Sequence, residues 1–125
     1  MAIIVDIDDT VLRNGDQPIN RTIEYIRTLE GPVFMVTGRS PSKRAETVRA
    51  LRAAGVRYSR LYMAPDNIDD EQYKYETAMR LKRSHNITVA IDNNPHARAM
   101  YNKAGLATKD PAKLPDVGKF WSIEQ

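Results

Sequence analysis

Four apolar runs rich in β-branched residues punctuate the chain: Ala2–Val5, Pro32–Val36, Arg60–Ala64 and Ile87–Ile91. None alternates cleanly between apolar and polar positions, which is the pattern of strands buried on both faces. The stretches between them carry helical spacing with recognisable ends. Asn20 is placed to cap a helix with Ile23, Ile26 and Leu29 on one stripe, closed by Gly31. Ser40-Pro41 opens a second helix, with Ala45, Val48 and Leu51 inward and Gly55 past its end. Asp69-Asp70-Glu71 suits the positive start of a third, carrying Tyr75, Ala78 and Met79. Asn94-Pro95 opens a fourth, ended by Gly105. After Leu106 the pattern allows one more short strand, and Phe120 and Trp121 are expected to dock on the core. The order β-α-β-α-β-α-β-α predicts an α/β fold: a three-layer Rossmann-like parallel sheet, helices on both faces, right-handed crossovers.

In such sheets ligands bind beyond the carboxyl ends of the strands, near the point where strand order reverses. The first strand exits at Asp6-Ile7-Asp8-Asp9-Thr10, the second at Thr37-Gly38-Arg39-Ser40 and the fourth at Asp92-Asn93-Asn94-Pro95. Lys74 lies on the helix after the third. With strand one central, between strands two and four, all these groups share one rim. An acidic turn after a strand can reflect only the preference of Asp for turns and caps. Three acids within four residues also repel one another, unless a cation stands among them. Asp6 and Asp92 are hard oxygen ligands of the kind Mg2+ takes, beside waters and a substrate phosphate. Asp6 is then suited to attack phosphorus and form an aspartyl-phosphate. Asp8 is suited to protonate the leaving oxygen and later deprotonate the attacking water. Thr37, the Gly38 amide and the loop amides after Asp6 would hold the non-bridging oxygens, while Lys74 neutralises charge.

Composition narrows the setting. The 125 residues suit one domain spanning 1–125, and 42% hydrophobic with 28% charged residues is ordinary for a soluble globule. No apolar run approaches the roughly 20 residues that cross a bilayer, and no charged-then-apolar leader opens the chain, so the expectation is a cytoplasmic protein without membrane partners. With zero cysteines there is no disulfide, no thiolate nucleophile and no Cys-type zinc site. The net charge of +3 is unevenly distributed: Arg39, Lys43, Arg44, Arg49, Arg52, Arg57 and Arg60 face Glu46 alone in segment 39–60. That segment reads either as a solvated helix face or as a footprint for a polyanion.

Taken in order, "DIDDT", "VTGR", Lys74 and "IDN" resemble the four motifs of the haloacid dehalogenase-like (HAD) phosphohydrolase superfamily, over residues 2 to about 108. The resemblance implies that Asp6 is the nucleophile and Asp8 the acid/base, as in the phosphatases and mutases of that group. It also implies that Thr37 binds phosphate and that Lys74 is the third-motif lysine. Mg2+ would be held by Asp6, the backbone carbonyl of Asp8 and Asp92. Asn93 stands where many members have a second aspartate that reaches the metal through water, and its amide oxygen is expected to accept from that water in the same way. No cap domain fits between Val11 and Gly31 or between Gly38 and Lys74. An open site of this kind admits the end of a macromolecule.

The basic helix after "VTGR", then "RAAGV", "DEQYKYE", "IDNN" and "MYNKAGL", are similar in order and spacing to the phosphatase domain of phage-type polynucleotide kinase/3′-phosphatases. Those proteins remove a 3′-phosphate or a 2′,3′-cyclic phosphate from nucleic-acid ends. The similarity implies a nucleic-acid repair phosphatase acting on DNA or RNA, with Arg39 as a second phosphate clamp and segment 39–60 on the adjacent backbone. No G-x-x-x-x-G-K-[ST] occurs, so a kinase or ligase partner is expected to be another polypeptide. Two rival readings are a nucleotidase for free mononucleotides and a catalytically weak domain used as a binding module. Among the aromatics only Tyr73 reads as placed near the site for base stacking. His85 and His96 read as helix-end residues.

Overall fold

A computed structural model describes residues 1–118. The expected docking of Phe120 and Trp121 lies outside the described residues. In chain order the elements are β1 (Ala2–Val5), a hairpin of β2 (Leu12–Arg13) and β3 (Gln17–Pro18), α1 (Asn20–Arg27), β4 (Val33–Thr37), α2 (Arg44–Ala54), β5 (Arg60–Met63), α3 (Asp70–Leu81), β6 (Ile87–Ile91), α4 (Pro95–Lys103) and β7 (Ala107–Lys109). Five strands form one sheet in the order β5-β4-β1-β6-β7. Every neighbouring pair is parallel. The three-layer Rossmann-like fold read from the apolar runs is therefore present, with β1 at its centre and β7 as the added strand. Among the described residues no domain interrupts it.

Alternation along the strands sorts the core into two layers. Val5, Val33, Met35 and Ile91 pack with Ile23 and Ile26 of α1 and Leu51 of α2. Ile4, Phe34, Val36 and Ala90 pack with Ala78 and Leu81 of α3 and Tyr101 of α4. The chain moves from β1 outward through β4 to β5, then returns to β6 on the other side of β1. The reversal opens a crevice at the carboxyl end of β1, where sheets of this type bind ligands.

Most helix ends follow the sequence. Asp69 accepts from the Gln72 amide and Asn94 from the His96 amide. Ser40 accepts from the Ser42 amide, although it caps a 3-10 turn (Pro41–Lys43) that leads into α2. Gly55 closes α2 in the left-handed region. Asn20 departs from expectation: it is the first residue of α1, and Ile19 holds the cap position without a side-chain bond. Leu29 lies past the end of α1, and Arg57 meets one α1 carbonyl and two in the turn that follows. Its guanidinium donates to Gly31 O at 2.9 Å, Leu29 O at 2.9 Å and Ile26 O at 3.3 Å. Arg57 thus belongs to the scaffold rather than to a polyanion footprint. Ala45, expected inward, is exposed, and so is Met79 of α3. Thr47 and Thr77 take the inward places on α2 and α3.

Gly31 holds φ +91°, and a Cβ there would collide with the backbone carbonyl of Met1. Gly31→Ala combines left-handed strain with a clash against main chain, so a loss of about 1–3 kcal/mol is expected in urea denaturation. The same change at Gly15 (φ +92°), where nothing lies within 4 Å of a Cβ, is expected to cost less than at Gly31.

Candidate active site

Asp6 follows β1 directly, and its amide donates to Ile91 O of β6 at 2.9 Å. That bond sets Asp6 beside Asp92, the first residue past β6. Both carboxylates are buried, and Lys74 of α3 reaches between them. Its Nζ lies 3.1 Å from Asp6 Oδ1 and 2.7 Å from Asp92 Oδ2. The other oxygen of Asp92 accepts from the Asn94 amide at 2.9 Å. Three segments far apart in sequence therefore meet in one buried ionic cluster.

Thr10, left without a role in the motif reading, completes it. Its hydroxyl donates to Asp6 Oδ2 at 3.0 Å and accepts from the Asn93 amide at 3.1 Å, so it holds the exits of β1 and β6 together. The spacing Asp6-x-x-x-Thr10 carried that information, because a tight loop returns the fifth residue to the first. Here the amides of Thr10, Val11 and Leu12 all converge on Ile7 O, and that of Asp9 donates to Leu12 O. Loop amides 9–12 are committed to the turn and are not available to hold an anion. Asp9 sits at φ +59°, a conformation Asp tolerates better than most side chains.

Two carboxylates share one ammonium here, which leaves a surplus negative charge in a dry place. Burial pushes the Asp6 carboxyl up from 3.8 to about 7; Lys74 opposes the shift and Asp92 adds to it. Burial alone would lower the Lys74 ammonium, but Asp6 and Asp92 outweigh it and hold its pKa above the ordinary value.

Asp8 points the other way and is half exposed. Arg39 grips it in a fork, with Nε at 3.2 and 3.1 Å and Nη2 at 2.8 Å from the carboxylate oxygens. The same guanidinium donates to Thr47 Oγ1 of α2 at 3.1 Å and to Gly15 O in the β2–β3 turn at 2.8 Å. Its pKa is raised, chiefly by the hydrogen bond to Asp8. Arg39 thus differs from the expected free phosphate clamp: it is a strut joining Asp8, the hairpin and α2.

A cavity of about 350 Å³ lies over these groups, lined among others by Asp6, Asp8, Gly38, Arg39, Lys74 and Asp92. Thr37 does not line it. It is fully buried, and its hydroxyl accepts from the Arg39 amide at 3.1 Å, shaping the turn that presents Gly38. Asn93 lines the cavity, but its amide nitrogen, rather than its oxygen, faces inward. It donates to Asp8 O and to Asp6 Oδ2 at 3.0 Å each, the orientation that pairs donor with acceptor. Two acceptors that want a donor thus have the Asn93 NH2 turned toward them. Asp70, read in the sequence only as a helix-start acid, stands one helical turn before Lys74 on the same face, and its carboxylate crowds Gly38. Tyr73 packs on the core with Tyr62 and Tyr75, and His96 is exposed; neither Tyr73 nor His96 lines the cavity.

Among the described residues no group of three His, Cys, Asp or Glu side chains gathers to hold a metal. The donor set that remains is Asp6, Asp92 and the Asp8 carbonyl. It is all oxygen and carries surplus negative charge, which fits a hard divalent cation whose other ligands are water and substrate.

No family model and no curated protein sequence matches the chain. Solved structures do resemble it. A chain of the Pnkp1/Rnl/Hen1 complex superposes with a TM-score of 0.72 at 21% identity, over 87% of this chain and 44% of that one. A chain of the Pnkp1/Rnl/Hen1 RNA repair complex gives 0.69 at 22% identity, over 87% and 41%. This chain thus spans less than half the length of either, and at such identities the likeness is one of fold.

Proposed function

We propose that this protein is a magnesium-dependent HAD-type phosphatase that removes the terminal phosphate from a nucleic-acid 3′-end, with RNA as the favoured substrate. The observation that carries the reading is the buried Asp6, fixed by Lys74 and Thr10 at the floor of an open cavity whose rim bears Asp8. Asp6 attacks phosphorus to form the aspartyl-phosphate as the ester bond breaks, and the ester oxygen leaves with a proton from Asp8. Asp8 then takes a proton from the water that cleaves the aspartyl-phosphate. The Arg39 fork keeps the Asp8 carboxylate in one orientation throughout. Lys74 holds Asp6 and Asp92 in place and offsets charge that builds on the phosphoryl group. Mg2+, held by Asp6, Asp92 and the Asp8 carbonyl, would supply the positive charge that lets Asp6 stay ionised beside a phosphate. The likeness to chains of an RNA repair complex favours RNA over DNA and is consistent with a kinase or ligase partner.

The test is inorganic phosphate release, with and without magnesium, from RNA and DNA oligonucleotides bearing a 3′-phosphate, beside p-nitrophenyl phosphate. Magnesium-dependent release, faster from RNA, is the expected result. Hydrolysis of p-nitrophenyl phosphate alone would keep the phosphatase and discard the nucleic-acid substrate. No release from any of them would leave a binding module.

A further inference from the structure

A second cavity, of about 740 Å³, adjoins the first and shares Asp8 and Arg39 with it. One wall is the β2–β3 turn, Asn14-Gly15-Asp16. The other is a single stripe of α2 and the turn before it: Lys43, Glu46, Arg49 with Ala50, and Ala53. These positions recur every three to four residues and so lie on one helical face, while Thr47 and Leu51 face the sheet. The groove has depth because alanine stands at 50 and 53, where larger residues would close it. Arg39, tied to Gly15 O, forms the partition between the two cavities.

We infer that this groove is the seat of the nucleic-acid strand leading to the scissile phosphate: the terminal nucleoside lies against Ala50 and Ala53, and the next phosphate meets Lys43 and Arg49. The inference rests on the 3′-end reading and assigns the strand a path. Continuity comes first, since a substrate whose phosphate sits at Asp6 must leave past Asp8 and Arg39, and the groove begins there. Size agrees, because cavities of about 300–1,000 Å³ hold organic ligands of nucleotide scale. Chemistry agrees as well. The side chains of Lys43 and Arg49 make no ion pair or hydrogen bond among the described residues, so both are free to take a phosphate. Glu46 and Asp16 give the walls acceptors for sugar hydroxyls or base N–H groups, and the alanines give a small apolar floor. A groove of mixed sign suits a nucleotide better than a bare polyanion. Of the seven cations in segment 39–60, the groove selects two for the backbone; Arg39 and Arg57 are otherwise engaged.

The test compares kcat/KM on a nucleoside 3′-phosphate with that on a 3′-phosphorylated tetranucleotide. The comparison is made for the native protein, for Lys43→Glu/Arg49→Glu and for Ala53→Phe, a surface change that fills the groove without altering charge. Circular dichroism melting checks that each variant is folded. In the native protein the tetranucleotide is expected to be at least tenfold the better substrate, with an advantage that falls as salt rises. Each variant is expected to bring that ratio close to one. Equal rates on the two substrates in the native protein, or a ratio that survives in both folded variants, would overturn the groove while leaving the 3′-end reading intact. Failure to release phosphate from either nucleotide, with p-nitrophenyl phosphate still hydrolysed, would overturn both.

Discussion

Lys74→Met is expected to destabilise the protein by about 3–5 kcal/mol at neutral pH and to abolish phosphate release. The methionine fits the space but leaves Asp6 and Asp92 buried, adjacent and without a counter-charge. Domains of this size are stable by only about 5–15 kcal/mol, so the variant would stand near the edge of folding. Urea denaturation measures the loss, and its pH dependence identifies the cause. As pH falls and the Asp6 carboxyl takes up a proton the repulsion fades, so the gap between variant and native protein is expected to narrow from pH 8 to pH 5. A gap that stays constant, or a loss below about 1 kcal/mol, would mean that Lys74 does not hold these two charges together.

Asp6→Asn is expected to push stability and activity in opposite directions. Loss of a covalent nucleophile costs on the order of 10⁴-fold or more in kcat, which phosphate release would show directly. Stability follows from the carboxyl that burial has raised from 3.8 to about 7 in the metal-free protein. A group whose folded pKa lies above its unfolded value contributes fully below the unfolded pKa, and that contribution is lost as pH rises through the folded one. The native protein therefore loses stability between about pH 4 and pH 7 on this account, and the asparagine variant does not. Without magnesium, the variant's relative stability should climb across that window in denaturant titrations. A flat difference from pH 4 to 8 would mean that Asp6 titrates as an ordinary exposed carboxyl. Together the two variants separate the cluster's roles: Lys74 makes it tolerable, and Asp6 is the strained member kept for reactivity.

Much of this was legible in the residues. Burial on both faces marks β1, β4 and β6 as apolar runs, and Asp69, Asn94 and Gly55 mark helix ends by local chemistry alone. The convergence of Asp6, Lys74 and Asp92 followed from strand order. What escaped was set by tertiary partners. Arg39 and Arg57 look alike in sequence, yet one braces Asp8 and the other caps α1, because each found acceptors on a distant segment. Thr37 was expected to face a phosphate, but the turn it supports keeps it beneath the floor. The β2–β3 hairpin has strands of two residues each, too short for periodicity, although Asn14-Gly15 is a recognised turn signal. Asn93 turned its amide toward two acceptors that only the folded loop creates.

The central place of β1 has a consequence for how the molecule is made. Synthesis delivers β1 first, yet one of its two sheet neighbours, β6, is the fourth strand of the sheet to emerge, some eighty residues later. Until then one flank of this apolar central strand has no partner, a condition that invites pairing with other chains. The cluster of Asp6, Lys74 and Asp92 cannot assemble before that late strand docks. The nascent chain is thus exposed to misassembly for longest just where its chemistry will reside, and crowded ribosomes would be the setting in which this fold is lost.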